Sequence, residues 1–376
     1  MKILFIAPGG SIHTLRWIER VEKSGFEVLL YAQDGIVPRA DYRIYSKKLS
    51  TSKSGVESIF SLVSEILRLK KIIQSEKPDI VHLHWMFSPS ALATSFLRRQ
   101  TIIATPWGSD ILPTNEKIDW TFKQRFIYVL SLKRLVRKID YFTCDAEHLK
   151  TRLIALGAAK NRIEIIYFGT DNMKFNPANR SIGMRETWGL KKGDLAILSN
   201  RNFYPVYDIH TLIRAFSDLH QNYKNLFLVL GGSGPELNSL KVEIMRRSLA
   251  DSVIFLGRLE DDDFATSVAS ADIYVSTSTS DGGLASSVAE AMASGVPVVI
   301  TDFGENSEWL DSDIHGYSFA AGDSKDLSKK IEILINDPTL RHQIGFSARA
   351  KIIRDLNPLV ENEKLIKFYL NTLSKN

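Results

Sequence analysis

A chain of 376 residues exceeds the roughly 250–300 at which one hydrophobic core stops growing, so two domains are expected. Its 44% hydrophobic and 24% charged residues are those of a globular protein, and its one cysteine, Cys144, excludes an intrachain disulfide and points to a reducing, cytoplasmic setting. The net charge of +5 is uneven: residues 1–176 hold 27 Lys/Arg against 17 Asp/Glu and the rest hold 21 against 26, yet no nucleic-acid recognition motif accompanies the basic half.

The first element, "KILFIA" (2–7), ends in Pro-Gly-Gly rather than at a small-residue cleavage site and reads as a buried strand, not a signal peptide. In "PGGSIHTLRW", Gly9 and Gly10 leave room for a ligand to approach backbone N–H groups, and Ser11 is placed to cap a helix over 12–24 that carries His13. A tight strand-to-helix turn explains the same glycines. No G-x-G-x-x-G is present, which counts against a dinucleotide site and a dehydrogenase. "EVLLYA" (27–32) is the next strand and 56–75 the next helix. "DIVHLH" (79–84) follows, with His82 and His84 on one face of a strand; they suit two metal ligands, but no third is evident and strand-end histidines explain the pair. After a helix over 88–99 and the strand "TIIAT" (101–105), "TPWGSD" offers Trp107 as a stacking surface and Asp110 as a hydrogen-bond acceptor, both suited to a sugar.

The segment 122–142 interleaves Lys123, Arg125, Lys133, Arg134, Arg137 and Lys138 with apolar residues, within a helix expected over 120–138. It fits either domain packing with a solvated cationic face or peripheral docking on an anionic membrane surface. No segment approaches the roughly 18 continuous apolar residues of a membrane span. "YFTCD" (141–145) closes the first strand series. The Gly-, Asn- and Pro-rich stretch 169–183 marks the boundary, giving domains over 1–175 and 176–358, with a helix over 359–376 packing back on the first.

A second strand series runs "LAILSN" (195–200), "LFLVLGG" (226–232), "SVIFLG" (252–257), "DIYVSTS" (272–278) and "VPVVITD" (296–302), with helices between. Two runs of strand–helix alternation predict an α/β protein of two Rossmann-like, doubly wound domains facing across a cleft, with ligands at the carboxyl ends of the strands. There, "NRNFYPVYD" supplies Arg201, a planar fork for a phosphate. "GGSGPE" begins a glycine-rich turn at Gly231. "GRLEDDD" reads as acidic residues opening a helix rather than a metal site. In "STSDGGLASSVAEAMASGVPVVITD" (278–302), the loop Asp281–Gly282–Gly283–Leu284–Ala285 leads to a helix beginning near Ser286, whose first-turn N–H groups make an anion site. Glu290 lies one turn in, suited to a ribose diol.

These residues carry a resemblance. "DGGLASSVAEAMASGVPVV", with "GGSIHT", "DIVHLH", "TPWGSD", "IIYFGTDNMKFNP", "GGSGPE" and "VIFLGR", resembles the retaining nucleotide-sugar glycosyltransferases of family four, which have the GT-B fold, and does so over nearly the whole chain. The resemblance implies a hexosyltransferase of polysaccharide or glycoconjugate synthesis, taking a UDP or GDP sugar as co-substrate and a glycan or lipid-linked acceptor, with no metal. Glu290 would bind ribose, Ser286 and its neighbours the diphosphate, Arg201 its charge, Arg258 the base, and Gly9 and Gly10 the phosphates or the sugar. Asp281, Arg201, His13 and Asp110 are the candidate catalytic groups. Ser11, Trp107, Tyr207, Gly231 and the 281–285 loop complete the candidate donor site. Three positions depart from the family: Gly282 stands where the first Glu of Glu-x7-Glu falls, with Asp281 one residue earlier; Tyr207 stands at the phosphate-binding lysine; Trp107 replaces the His of Thr-x-His-Gly-x-Asp. A GT-B-fold nucleotide-sugar epimerase and a non-catalytic, nucleotide-sugar-binding partner of another transferase are the alternatives.

Overall fold

The computed structural model describes residues 1–37, 41–46, 55–97, 99–108, 110–112, 122–259, 261–280 and 283–374. It divides into two compact units, one of described residues between Met1 and Tyr167 and from Val360 onward, the other Phe168–Leu359.

The first unit runs β1 (Lys2–Ala7), α1 (Ile12–Lys23), β2 (Glu27–Ala32), β3 (Arg43–Ser46), α2 (Gly55–Glu76), β4 (Ile80–His84), α3 (Pro89–Thr94), β5 (Thr101–Thr105), α4 (Phe122–Lys138), β6 (Tyr141–Cys144), α5 (Glu147–Leu156) and β7 (Ile163–Ile165). Its sheet has the order β3-β2-β1-β4-β5-β6-β7, and every pairing is parallel. β1, β4 and β5 are buried almost throughout because helices cover both faces, which is why their sequences are continuous apolar runs. Strand order reverses between β1 and β4, the place where open α/β sheets open a crevice at their carboxyl edge.

The second unit runs α6 (Ile182–Thr187), β8 (Leu195–Ser199), α7 (Ile209–Asn222), β9 (Leu226–Gly231), α8 (Leu237–Arg246), β10 (Val253–Gly257), α9 (Asp261–Ser270), β11 (Ile273–Ser276), α10 (Ser286–Ala293), β12 (Val298–Thr301), α11 (Asn306–Trp309), β13 (Gly316–Phe319), α12 (Ser324–Asn336) and α13 (Pro338–Asp355). Its parallel sheet has the order β10-β9-β8-β11-β12-β13, so the reversal here lies between β8 and β11. α10 is seated from behind: a Cβ on Gly345 of α13 would lie 2.1 Å from the Gly295 carbonyl, so only glycine permits this approach. Arg349, one turn on, donates to the carbonyls of Ala293 and Phe175.

The unit change at Tyr167 precedes the expected boundary at 175, because the Gly169 turn already packs within the second unit. Thr170 N donates to Leu356 O at 3.1 Å, and a Cβ on Gly169 would meet Pro358 Cα at 2.8 Å. α14 (Pro358–Ser374) then lies on the first unit. Its Glu361 accepts from Tyr167 N at 2.8 Å, its Asn362 from Arg20 Nε at 3.0 Å, and its buried Tyr369 Oη from Trp17 Nε1 at 3.1 Å.

Candidate functional site

In the second unit the residues after β8, β9 and β11 converge. Tyr207 ends a short 3-10 turn whose carbonyl accepts from Thr277 Oγ1 at 2.6 Å, while Val206 O accepts from Thr279 N at 2.8 Å. These bonds lash the loop after β8 to the loop after β11. Asp208 closes the turn in the left-handed region, φ 41°, and caps α7 through Thr211 N. Behind the loop, the glycine turn is fitted to Arg201–Phe203: Phe203 N donates to Ser233 O at 2.9 Å, and a Cβ on Gly232 would lie 2.7 Å from Arg201 O. A Cβ on Gly231 would touch the Leu259 side chain at 3.0 Å. The glycines expected to favour a ligand thus hold the backbone that carries Arg201.

Arg201 is the hub of this cluster. Its guanidinium donates through Nη1 to Ser287 Oγ at 2.9 Å and through Nη2 to Ser278 Oγ at 3.3 Å, and it lies 4.5 Å over the Tyr207 ring. It therefore ties the loops after β8 and β11 to the first turn of α10. That helix starts at Ser286 behind an Ala285 N-cap that has no side-chain cap to offer, so its leading N–H groups carry the positive end of the helix dipole without an acceptor from a capping side chain. Gly283 and Ala285 are buried, and Leu284 and Ser286 half-buried. Glu290 is 5% exposed, one turn in on the face of Ser286 and Ser287, and is already engaged within the protein. Asp281 and Gly282 lie outside the described residues. Arg258 stands apart: it follows β10 at the sheet edge and is exposed. The structure does not bring it to Arg201, because β9 and its turn intervene.

In the first unit the expected residues gather at the carboxyl ends of β1, β4 and β5, with two corrections. Gly9 N and Gly10 N do not point at an empty site; they donate to Asp34 Oδ1 at 2.9 Å and Oδ2 at 3.0 Å. The loop after β2 folds over them so closely that a Cβ on Gly9 would lie 2.0 Å from Ile36 O. Asp110, in turn, is fully buried and accepts from Trp107 N at 2.9 Å and Met86 N at 2.8 Å. It fixes the loops after β4 and β5 to each other, with both carboxylate oxygens turned to backbone N–H groups. Ser11 Oγ caps α1 by accepting from His13 N at 3.3 Å, and the His13 ring lies 5.7 Å from that of Trp107.

The histidine pair lies on one strand face, ring centroids 4.5 Å apart. His82 bridges Tyr369 Oη and Thr105 Oγ1, at 2.7 Å each, while neither ring nitrogen of the buried His84 has a hydrogen-bond partner. Burial drives both imidazoles toward the neutral form, that of His84 to a pKa of about 3, with the nearby His13 adding to the shift. Among the described residues no cluster of three or more His, Cys, Asp or Glu side chains is placed to hold a metal.

Asp34 and Ser278 were absent from the sequence-based set. The Asp-Gly turn after β2 was a readable signal for Asp34, but its pairing with Gly9 and Gly10 spans 24–25 residues and has no local pattern.

Two family profiles match the chain, one described as glycosyl transferases group 1 over residues 183–351 and one as glycosyl transferase 4-like over 2–146. A sulfoquinovosyl transferase of Arabidopsis thaliana is 25% identical over 89% of this chain and 65% of its own length, so the chain spans less than two thirds of that relative. Among solved structures, a sucrose-phosphate synthase of Thermosynechococcus elongatus superposes over the whole of both chains with a TM-score of 0.84 at 16% identity. The Anabaena protein HepE, in complex with UDP and glucose, superposes over 98% of both chains with a TM-score of 0.78 at 20% identity. At these identities the likeness shows the fold, which is GT-B.

Proposed function

We propose that the chain, which the glycosyl transferases group 1 profile matches over residues 183–351, moves a sugar from a nucleoside diphosphate, UDP or GDP, to a hydroxyl of a glycan or lipid-linked acceptor. The observation that carries this reading is Arg201, whose fork is strapped to Ser287 at the first turn of α10 while its face rests on Tyr207. That places a fixed cation beside uncapped helix N–H groups, the arrangement a diphosphate needs. Glu290, buried one turn deeper, accepts the ribose hydroxyls. Binding of UDP by the HepE protein of the same fold supports a uridine donor.

In the transfer the bond from the anomeric carbon to the diphosphate oxygen breaks, and a bond to the acceptor oxygen forms on the same face, which retains configuration. The acceptor's proton passes to the departing phosphate oxygen. Arg201 and the start of α10 offset the charge that develops on the leaving group, and because the protein holds them in place beforehand they need no reorganisation at that moment. A divalent metal is not required for that charge, and the donor is the only co-substrate. Asp281 would approach the sugar in place of the missing glutamate, and His13 would stand on the acceptor side.

Peripheral contact with an anionic membrane is part of the reading. Along α4, Leu132, Leu135 and Val136 are buried, whereas Ile127 and Leu130 are half exposed beside Arg134, Arg137 and Lys138. No helix among the described residues is long and apolar enough to cross a membrane. Flotation with anionic but not neutral vesicles is the expected result, and equal recovery with both removes this part.

Thermal-shift screening against UDP, GDP and ADP sugars tests the donor site. One base should stabilise the wild type, by about 2.7 kcal/mol at a hundredfold excess over Kd. Glu290→Ala should abolish the shift. A donor that protects both proteins equally overturns the ribose assignment, and no shift with any of them overturns the donor reading.

A further inference from the structure

The loop that carries Arg201 leaves β8 and enters α7, and it is fastened near both ends to one helix, α8. Near its entry the turn after β9 grips Phe203, whose N donates to Ser233 O at 2.9 Å and whose O accepts from Glu236 N at 3.1 Å. Glu236 is the N-cap of α8. At the exit stands His210, the second residue of α7. Its Nδ1 hydrogen-bonds the Glu243 carboxylate in the middle of α8, and its Nε2 lies 3.4 Å from Ser239 Oγ, one turn earlier on that helix. Arg247 Nε holds the other Glu243 oxygen at 2.9 Å. The span from Phe203 to His210 is thus bonded to α8 at both feet, with Tyr207 and Asp208 between them.

The two feet differ in kind. The entry is held backbone to backbone, whereas the exit hangs on an imidazole–carboxylate pair whose side chains are 27% and 17% exposed. The seating of the helices does not depend on this pair: Ile209, Leu212, Ile213 and Phe216 of α7 and Leu240 and Ile244 of α8 lie in one buried core cluster. A partly exposed ion pair at such a rim adds little to overall stability. Its place in the chain gives it a different use. It fixes where the backbone turns from Asp208 into α7, three residues after Tyr207, and the Arg201 guanidinium lies 4.5 Å over the Tyr207 ring.

We propose that His210, clasped by Glu243, is a positioning residue for the donor site: it holds the Tyr207 ring, and through it the Arg201 fork, in the posture that meets the diphosphate before the donor arrives. The proposal rests on the reading of the second unit as the nucleotide-donor site and adds to it a residue that acts from outside that site. Without the clasp the loop must be ordered on binding, and that cost appears as weaker affinity.

Calorimetric titration of the full chain with UDP tests this. His210→Leu removes both ring nitrogens and keeps bulk; His210→Asn keeps an N–H donor near the Nδ1 position. The Kd should rise about fivefold in His210→Leu, the factor that one partly exposed ion pair supplies, and stay within about twofold of the wild type in His210→Asn. Melting temperatures should fall by about 2–4 °C at most. In an Arg201→Lys background, which keeps the charge on a flexible stem without the fork, His210→Leu should change the Kd by less than about twofold. A merely stabilising pair would lower the melting temperature, leave the Kd alone, and be indifferent to Arg201. Amide exchange of the ligand-free protein supplies a readout that needs no nucleotide: Tyr207, Asp208 and Thr211, whose amides bond within the loop and its cap, should exchange about fivefold faster in His210→Leu, with α12 and α13 unchanged. A Kd unchanged by His210→Leu, the same fold-change with and without Arg201, or exchange rates alike in both proteins overturns the positioning role while the donor reading stands. A wild type that binds no UDP, even with the exchange difference present, overturns the donor reading and with it the use assigned to the clasp.

Discussion

If Arg201 faces the donor diphosphate as proposed, Tyr207→Lys adds a second cation beside it, and it should exchange stability for donor affinity. An ammonium in place of the ring would sit near 4.5 Å from the Arg201 guanidinium. Two like charges at such a distance repel by about 1 kcal/mol in water-like surroundings and about 4 kcal/mol at an effective dielectric of 20. Both side chains are half-buried, and lysine can swing toward solvent, so the lower end of that range applies. Loss of the cation–π contact adds about 0.5–1 kcal/mol. The free protein should therefore lose about 1.5–2 kcal/mol, a fall in Tm of about 3–8 °C for a unit of this size. With UDP bound, the second cation faces the diphosphate instead, and the affinity should rise about tenfold at low ionic strength, with most of the gain lost in high salt. Calorimetric titration with UDP at two salt concentrations, beside thermal melts with and without ligand, measures both effects. Tyr207→Phe keeps the ring and should change neither by much. A lysine variant that melts like the wild type and binds UDP no more tightly at low salt would show that the Arg201–Tyr207 pair does not face the diphosphate.

The loop that carries this pair depends on Asp208 at φ 41°, so Asp208→Ala should cost about 2 kcal/mol, from the lost cap and the left-handed backbone together, whereas Asp208→Gly should be nearly neutral; urea titration of both variants separates them. Acid should destabilise the first unit through its buried histidines. With folded-state pKa values below the unfolded 6.5, and about 3 for His84, the unfolded chain takes up protons first, so stability is full above pH 6.5 and declines toward pH 3, by up to about 1.4 kcal/mol per pH unit for each imidazole. Urea midpoints between pH 7 and 5 should show this slope, and His84→Phe should make it shallower; a slope unchanged in that variant contradicts the assignment.

The central strands of both sheets were legible because burial on two faces writes them as unbroken apolar runs. β3, β7 and β13 were not, because each is a three- or four-residue strand at the edge of its sheet, too short to leave a period. The helix expected over 88–99 stops at Thr94, where Ser95 N turns back to Leu92 O. In the second unit the strand-end rule was enough to place Arg201, Tyr207, Ser286 and Glu290 in one neighbourhood, since each follows β8 or β11, which pair with each other. The same rule placed Gly9, Gly10 and Asp110 at the right edge of the first sheet but misread their partners. Their hydrogen bonds go to Asp34, Trp107 and Met86, and a carboxylate turned inward to backbone N–H groups looks, in sequence, like one turned outward to a ligand.

Amide hydrogen exchange of the full chain with and without saturating UDP tests the central claim most directly, because it reads every strand end at once. Protection concentrated in residues 199–208 and 283–292 is the expected result, since these carry Arg201, the start of α10 and Glu290. Protection that leaves both segments untouched, or no protection anywhere, contradicts the assignment of the second unit as the site of the nucleotide donor.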